Sequence, residues 1–480
     1  MAKRKFVFYL SISFIIGTLA AGNGWNFLTT LALSVVAVCF ILAVRGRTDS
    51  FLKAWVDLRK IVLFSALFLF AGFFYYYFFL NLRDQRTEIP LNQELVFVGV
   101  VSNDPENRDT FQLFEVSLVD PFSGKAKVFA PSFPRFRYGD LLEISGRAEE
   151  SLFRNDWATI FYPELQLLET GKGFWLKREL LELKNLLVAK FPLYLDRDKS
   201  ALLAGLTFGE RGGFSEELKT DMARSGVTHI VALSGYNIAI LALAIEKAFS
   251  YFLSRRKRFY LTLALIFIFV LMVGGEASVV RAAIMGALAL LAEHIGRPRD
   301  ILHLVALTAV GMVLIDPTVT VFDLGFQLSF LSLLGIILIQ PALGKIFGFT
   351  PGRKESFLAW KENGLTTISA QLAVFPVLIV NFDYFSLTSI LANILILFTV
   401  PLVMFLGFLL AALSAVSVFL GFFAAKIVSA LLFYQIWVIH FFSAVSIPIR
   451  AAGSPILIYG IFYALIAMLI GYARKYEKTR

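Results

Sequence analysis

Runs of apolar residues long enough to cross a bilayer recur along most of this chain, and they leave little choice of fold. About 20 consecutive apolar residues cross the hydrocarbon layer as a helix, and roughly a dozen such runs occur here. With 58% of residues hydrophobic and 50 phenylalanines among 480, no soluble core accounts for them. The expected fold class is a polytopic α-helical membrane protein of about 12 transmembrane helices with one inserted small β-barrel domain. Three runs open the chain, at 6–19, 27–44 and 61–80. The others follow a polar insert, at 226–253, 259–274, 278–295, 301–315, 323–340, 363–380, 386–413, 417–447 and 455–473. Pro401 marks a place where the stretch 386–447 can break.

A formal net charge of +10 would on its own suggest nucleic acid, but most of it sits in short loops. The basic clusters are Lys3-Arg4-Lys5, 45–60, Arg255-Arg256-Lys257-Arg258, Arg297 with Arg299, 345–361 and 474–480. A cytoplasmic N-terminus puts all of them on the cytoplasmic side, as the positive-inside rule requires. The expected location is the inner (cytoplasmic) cell membrane, multi-pass, with both termini cytoplasmic. Ala20-Ala21-Gly22 after the first run also allows a cleaved signal, but two further runs follow at once, which favours an anchor. Cys39 has no partner, so neither a disulfide framework nor a thiolate metal site is expected.

The pattern divides the chain into residues 1–82 (three helices), 83–173 (a soluble insert), 174–224 (amphipathic or interfacial helices) and 225–480 (the main membrane domain). In the insert, ELVFVGVV, TFQLFEVSLVD, GKAKVFA, GDLLEISGRAEE and ATIFYPELQLLE read as five β-rich segments parted by Asp-Pro, Ser-Gly and Tyr-Gly-Asp turns. They suit a small barrel of the oligonucleotide/oligosaccharide-binding (OB) type, placed outside the membrane by the three preceding crossings. Residues 83–173 hold ten Lys and Arg against fifteen Asp and Glu, so this domain is no general polyanion trap. PSFPRFRYGD is the exception. There Phe133, Arg135, Phe136, Arg137 and Tyr138 interleave rings and cations as single-strand binders do, or form a solvated strand edge. Downstream, 174–191 has an amphipathic helical pattern, and Ser215 caps a charged helix that carries Glu216 and Glu217 in its first turn.

Polar residues cluster at four places inside the apolar runs, where an unsatisfied group costs several kcal/mol and so faces a bundle interior or water. SGVTHIVALSGYNIAIL carries His229, Ser234 and Asn237. GGEASVVRAAIMG carries Glu276 and Arg281, able to form an ion pair or to meet a moving anion. IDPTVTVFDLGFQLSFLSLLG carries Asp316, Asp323, Gln327 and Ser329. The last cluster pairs Gln371 with Asn393, whose amides suit helix-to-helix hydrogen bonds.

At these residues the chain resembles the ComEC family of membrane channels, which import single-stranded DNA during natural transformation. THIVALSGYNIAIL, EASVVRAAIMGAL, DPTVTVFDLGFQLSFLSLLGI and SAQLAVFPVLIVNFDYFSLTSILANILILFTVP are similar to that family's ordered motifs, and the upstream β insert is similar to its OB-like domain. The resemblance implies that His229, Ser234, Arg281, Asp323, Gln327 and Ser329 line or brace the conduit; Asn237, Glu276, Gln371 and Asn393, read from the residues alone, are further candidates to line or brace it. The resemblance also implies single-stranded DNA as transported substrate, membrane lipid around the helices, and a separate nuclease, DNA receptor and ATPase or ion gradient. A homo-oligomer is compatible with it. Asn237 stands where the family commonly has His, which removes a titratable group. Fuller members carry a metallo-β-lactamase-like domain, and the form expected here lacks it: His229, His294, His303 and His440 stand apart and form no His-x-His-x-Asp-His run.

No catalytic role, cofactor or metal is expected. GLTFGERGG lacks the lysine and spacing of a phosphate-binding loop, and ALSGYN lacks the glycine pattern of a nucleophile elbow. Two other readings remain open on the residues alone: a small-solute or lipid-intermediate transporter using Glu276 and Asp323, and an envelope-binding membrane scaffold.

Overall fold

The computed structural model describes residues 2–478 apart from 26–28, 30–50, 85–88, 108–109, 120, 123, 151–157, 211, 232–234, 276, 295–300, 348–359, 383–384, 387, 447 and 450–453. The expected span at 27–44, with Cys39, and the candidate residues Ser234 and Glu276 lie outside the described residues. In chain order the first elements are α1 (Ala2–Gly22), α2 (Phe51–Asp84), β1 (Glu94–Val101), β2 (Glu106–Asn107), β3 (Phe111–Leu118), β4 (Lys125–Pro131), β5 (Leu141–Glu150), β6 (Ala158–Phe161) and β7 (Glu164–Glu169). Helices follow: α3 (Trp175–Val188), α4 (Arg197–Phe208), α5 (Glu216–Ser225), α6 (Thr228–Val231), α7 (Gly235–Ala248), α8 (Arg255–Met272), α9 (Ala277–His294), α10 (Ile301–Ile315) and α11 (Val319–Phe322). The last are α12 (Leu324–Ile346), α13 (Trp360–Phe382), α14 (Ser389–Leu397), α15 (Val400–Val416), α16 (Val418–Ala444) and α17 (Pro455–Lys478).

Among the described residues, four helical stretches are long and apolar enough to cross a membrane: Leu63–Leu82, Leu324–Ile346, Gly364–Asn381 and Val418–Ala444. A fifth candidate is the pair α14 and α15, bent by 47°. Shorter apolar helices occupy Val7–Gly22, Ser278–Ala292, Ile301–Ile315 and Leu457–Ala473. The expected run 226–253 divides into α6 and α7, and 386–413 into α14 and α15, the latter with Pro401 in its first turn where no N–H is needed. Hydropathy sums residues along a window and does not register a change of axis within it.

Two compact units make up the chain: 1–83 with 284–385 and 449–480, and 84–283 with 386–448. In the first, α1 and α2 cross backbone to backbone. A Cβ at Gly17 would collide with the carbonyl oxygen of Leu69, and one at Gly72 with that of Phe14, the close approach that small residues permit in membranes. Gly335 of α12 meets Ala373 and the Ser369 carbonyl of α13 in the same way. Gln340 donates to Thr366 Oγ1 at 2.9 Å across that pair, and Tyr463 of α17 donates to the Ala373 carbonyl at 3.1 Å.

In the second unit the β segments close into a barrel. β1 pairs antiparallel with β3, β3 with β4, β4 parallel with β6, β6 antiparallel with β5, and β5 returns to β1. That five-strand circuit, with its one parallel pairing, is OB-like. Strand alternation builds it: Ala126, Val128 and Ala130 of β4 point inward onto Phe97, Phe114, Leu142, Ile144 and Ile160. The expected fifth strand is divided at Tyr162 and Pro163, where Tyr162 takes a φ of 47°; β6 closes the barrel and β7 pairs outside the circuit with β5.

The helical core of this unit forms around α4. Ser200 to Phe208 are all buried, because small and apolar residues occupy every face of the helix. Within 174–224, where amphipathic or interfacial helices are expected, α4 is therefore internal, packed against α15 and α16. Ser215 caps α5 as expected: its Oγ accepts from Leu218 N–H at 3.1 Å and donates to Asp198 at 2.8 Å.

Candidate functional site

The described residues of the polar run 225–241 belong to the second unit, where Gly226 lies against Ser389 of the bent pair α14–α15. Gly226 ends α5 with a φ of 71°, and a Cβ there would lie 2.6 Å from the Cβ of Ser389. Both the left-handed backbone and the close approach demand glycine. Ser389 and Asn393, one turn apart on α14, are 2% and 1% exposed. Ser389 Oγ and both ends of the Asn393 amide have no hydrogen-bond partner among the described residues. Groups of this kind, buried without a bond, are strongly disfavoured unless water or a ligand meets them. Asn237 is also buried and donates to the Leu206 carbonyl at 3.3 Å. His229 is exposed and lies within reach of the Gly226 backbone. Gln435 donates to Thr399 Oγ1 at 2.8 Å, at the break between the two helices. Arg281, on α9, is buried in the same unit.

The remaining membrane candidates belong to the first unit. Asp323 caps α12, accepting from Phe326 N–H at 3.0 Å. Gln327 donates to the Thr320 and Val321 carbonyls at 3.0 and 2.9 Å. Asp316 accepts from Thr318 N–H at 3.0 Å, so the Asp-Pro segment is a hydrogen-bonded corner that these side chains brace. Ser329 is half-buried, and its carbonyl accepts from Ser332. Gln371 is half-buried on α13, and its Oε1 has no hydrogen-bond partner among the described residues.

In the barrel, the five residues from Phe133 to Tyr138 have different places. Phe133 is 72% exposed with the Arg135 guanidinium 5.3 Å from its ring centre, and Arg137 is exposed. Phe136 cannot serve as a DNA contact: it is 5% exposed and packs edge-on against Phe114 in the core, because its position in the turn points inward. Tyr138 is occupied too. Its hydroxyl accepts from Phe174 N–H at 3.1 Å, and Lys177 Nζ lies 4.5 Å from its ring centre. Burial, with Lys125 nearby, holds the Lys177 ammonium below the usual lysine range.

Two features went unread in the sequence. Phe111, Phe129 and Phe161 form an outward row across β3, β4 and β6, with ring centres 5.8 and 4.9 Å apart. The signal was alternation, clearest at Phe129 between the core residues Val128 and Ala130, but cross-strand neighbours need the register. Gln112, fully buried, donates to the Pro131 and Pro134 carbonyls at 2.8 and 2.6 Å and accepts from Phe136 N–H. Gln112→Leu strips these three backbone groups of partners, and we expect a loss of about 2–3 kcal/mol with early proteolysis at 131–137. Unchanged cleavage of that loop would exclude the clamp.

Helices of bilayer length together with one inserted closed barrel define a helical membrane protein with an OB-like β domain. The competence-protein family model matches residues 206–476, and the chain belongs to that family, the ComEC family. It is similar to ComE operon protein 3 of Bacillus subtilis (strain 168), 26% identical over 220 residues that make up 46% of this chain and 27% of the relative. The chain thus aligns with about a quarter of that relative's length. No solved structure matches it.

Proposed function

We propose that this chain is a channel of the cytoplasmic membrane through which single-stranded DNA enters during natural transformation. The barrel lies outside and both termini face the cytoplasm. The observation that carries the reading is the buried Ser389 and Asn393 pair, unpartnered beside Gly226 at the bent helix pair. Broken spans in transporters expose backbone and side-chain dipoles to what passes, and a polyanion crossing a low-dielectric layer requires such compensation. Family membership supplies the substrate class. The outer aromatic row and the Phe133–Arg135 pair suit stacking on unpaired bases, worth about 1–3 kcal/mol per base. His229, Asn237 and Arg281 complete the polar lining, and transport here needs no catalytic step. A DNA receptor and an ATPase or ion gradient are the partners this role requires.

Uptake of labelled transforming DNA tests it, in cells with the wild-type chain, a deletion, or Ser389→Ala with Asn393→Leu at matched membrane level. The expected result is loss of internalised strand with surface-bound DNA retained. Wild-type uptake in the deletion strain sinks the proposal and brings the solute-transporter reading forward. Separately, Phe129→Ala with Phe161→Ala in the purified full chain should weaken oligonucleotide binding about tenfold or more by fluorescence anisotropy.

A further inference from the structure

Away from the polar segment, α5 and α16 bring three metal-binding side chains together. Glu217 and Asp221 stand one turn apart on α5 and share a face. His440 comes from the C-terminal part of α16, 219 positions beyond Asp221. One carboxylate oxygen of each acid and one ring nitrogen of His440 all lie within 4.8 Å of one another. Donors bound at about 2.0–2.2 Å around one metal are about 3–4.5 Å apart, so small rotations give these three a common centre.

The charge balance points the same way. Two carboxylates on successive turns repel, and the Glu217 carboxylate has no hydrogen-bond or ion-pair partner among the described residues, while the neighbouring Lys219 is bonded to Glu216. Asp221 is oriented for ligation: Ser443 Oγ donates to its Oδ1, the outer-shell support seen around metal ligands, and His440 Nδ1 already meets its Oδ2. Glu217 and His440 are exposed and Asp221 half-buried, so an ion can enter and water can fill the remaining positions. One imidazole with two carboxylates suits a first-row transition ion better than magnesium or calcium, which prefer all-oxygen sets.

We propose that Glu217, Asp221 and His440 bind a divalent ion of the zinc or manganese class that clamps α5 to α16. Because α5 runs through Gly226 directly into 226–237, the ion fixes the start of the polar segment. The inference stands independently of the DNA reading. Sequence reading saw only isolated histidines, since His440 lies 219 positions from Asp221.

The test uses the full chain in detergent, stripped of metal and titrated with Mn2+ or Zn2+. Bound ion is measured by the loss of the free Mn2+ resonance and by elemental mass spectrometry after gel filtration. The expected result is one ion per wild-type chain, held about tenfold or more weakly in Glu217→Gln and in His440→Ala, since losing a ligand weakens a site at least as much as losing its outer-shell support. His294→Ala, elsewhere on α9, should bind as wild type. Glu217→Gln removes an exposed group without a partner, so its metal-free melting should match wild type and its weaker binding reports ligation. Absence of a retained ion in the wild-type chain overturns the proposal, as does wild-type affinity in either ligand variant.

Discussion

Lys184→Met should destabilise the second unit by about 2–3 kcal/mol and loosen the barrel from the helices that follow it. The ammonium, on α3, is 6% exposed, 2.5 Å from Asp104 of the barrel and 3.1 Å from Glu210 beyond α4. Breaking one partner out of a buried ion pair costs about 3–5 kcal/mol because the other charge is stranded. Here the carboxylates keep 20% and 25% of their side-chain surface, and that contact with solvent reduces the figure. Burial pulls the Lys184 proton affinity down, but Glu210 and Asp104 outweigh it and hold the pKa above the ordinary 10.5. A group raised in the folded state contributes fully below its unfolded value and loses the contribution as pH rises through the folded one. The Lys184 contribution should therefore be flat through neutral pH and fall only above about 10.5. Thermal unfolding of the purified chain checks the magnitude, and Asp104→Asn in the Lys184→Met background should recover part of the loss. A melting point unchanged by Lys184→Met would show the triad to be a surface contact of little energy.

Gly17→Val or Gly72→Val should separate α1 from α2, with a loss of about 3 kcal/mol or more for either. Overpacking usually costs about 1–3 kcal/mol because side chains shift to make room. At these glycines the obstacles are the Leu69 and Phe14 carbonyls, backbone groups that cannot rotate away. The interface they serve is buried: Ala20, Leu69 and Thr18 are at most 1% exposed, and Ser65 is 2% exposed. Gly311→Val provides the control, since a Cβ there meets nothing. The readout is the thermal aggregation point in detergent, and equal values for Gly17→Val and Gly311→Val would remove the close crossing from the account.

Much of the membrane region was legible because its cause is local. Bilayer-length apolar runs, the Ser215 cap and the β-rich insert each follow from composition and spacing over a few residues. The bend between α14 and α15 was legible only as a proline, since Pro401 sits as comfortably at a helix start as at a kink. Phe136 illustrates the limit in the barrel: PSFPRFRYGD alternates rings and cations evenly, yet one ring fills the core while Phe133 stands in solvent. Charge pattern does not say which way a turn residue points.

The candidate site divides along the same line. Sequence by itself determined that polar residues interrupt apolar spans, that these spans carry the family's ordered motifs, and that a five-segment β domain is inserted among them. Those are properties of short windows, governed by hydrophobic periodicity and turn chemistry. Tertiary structure alone decided which of those residues meet. Ser389 came to lie against Gly226, Asp323 and Gln327 were spent on bracing a corner, Lys184 joined two acids from different elements, and His440 reached Asp221. Each of these depends on how helices far apart in sequence pack, and packing is set by the volume and backbone approach of all the residues between them.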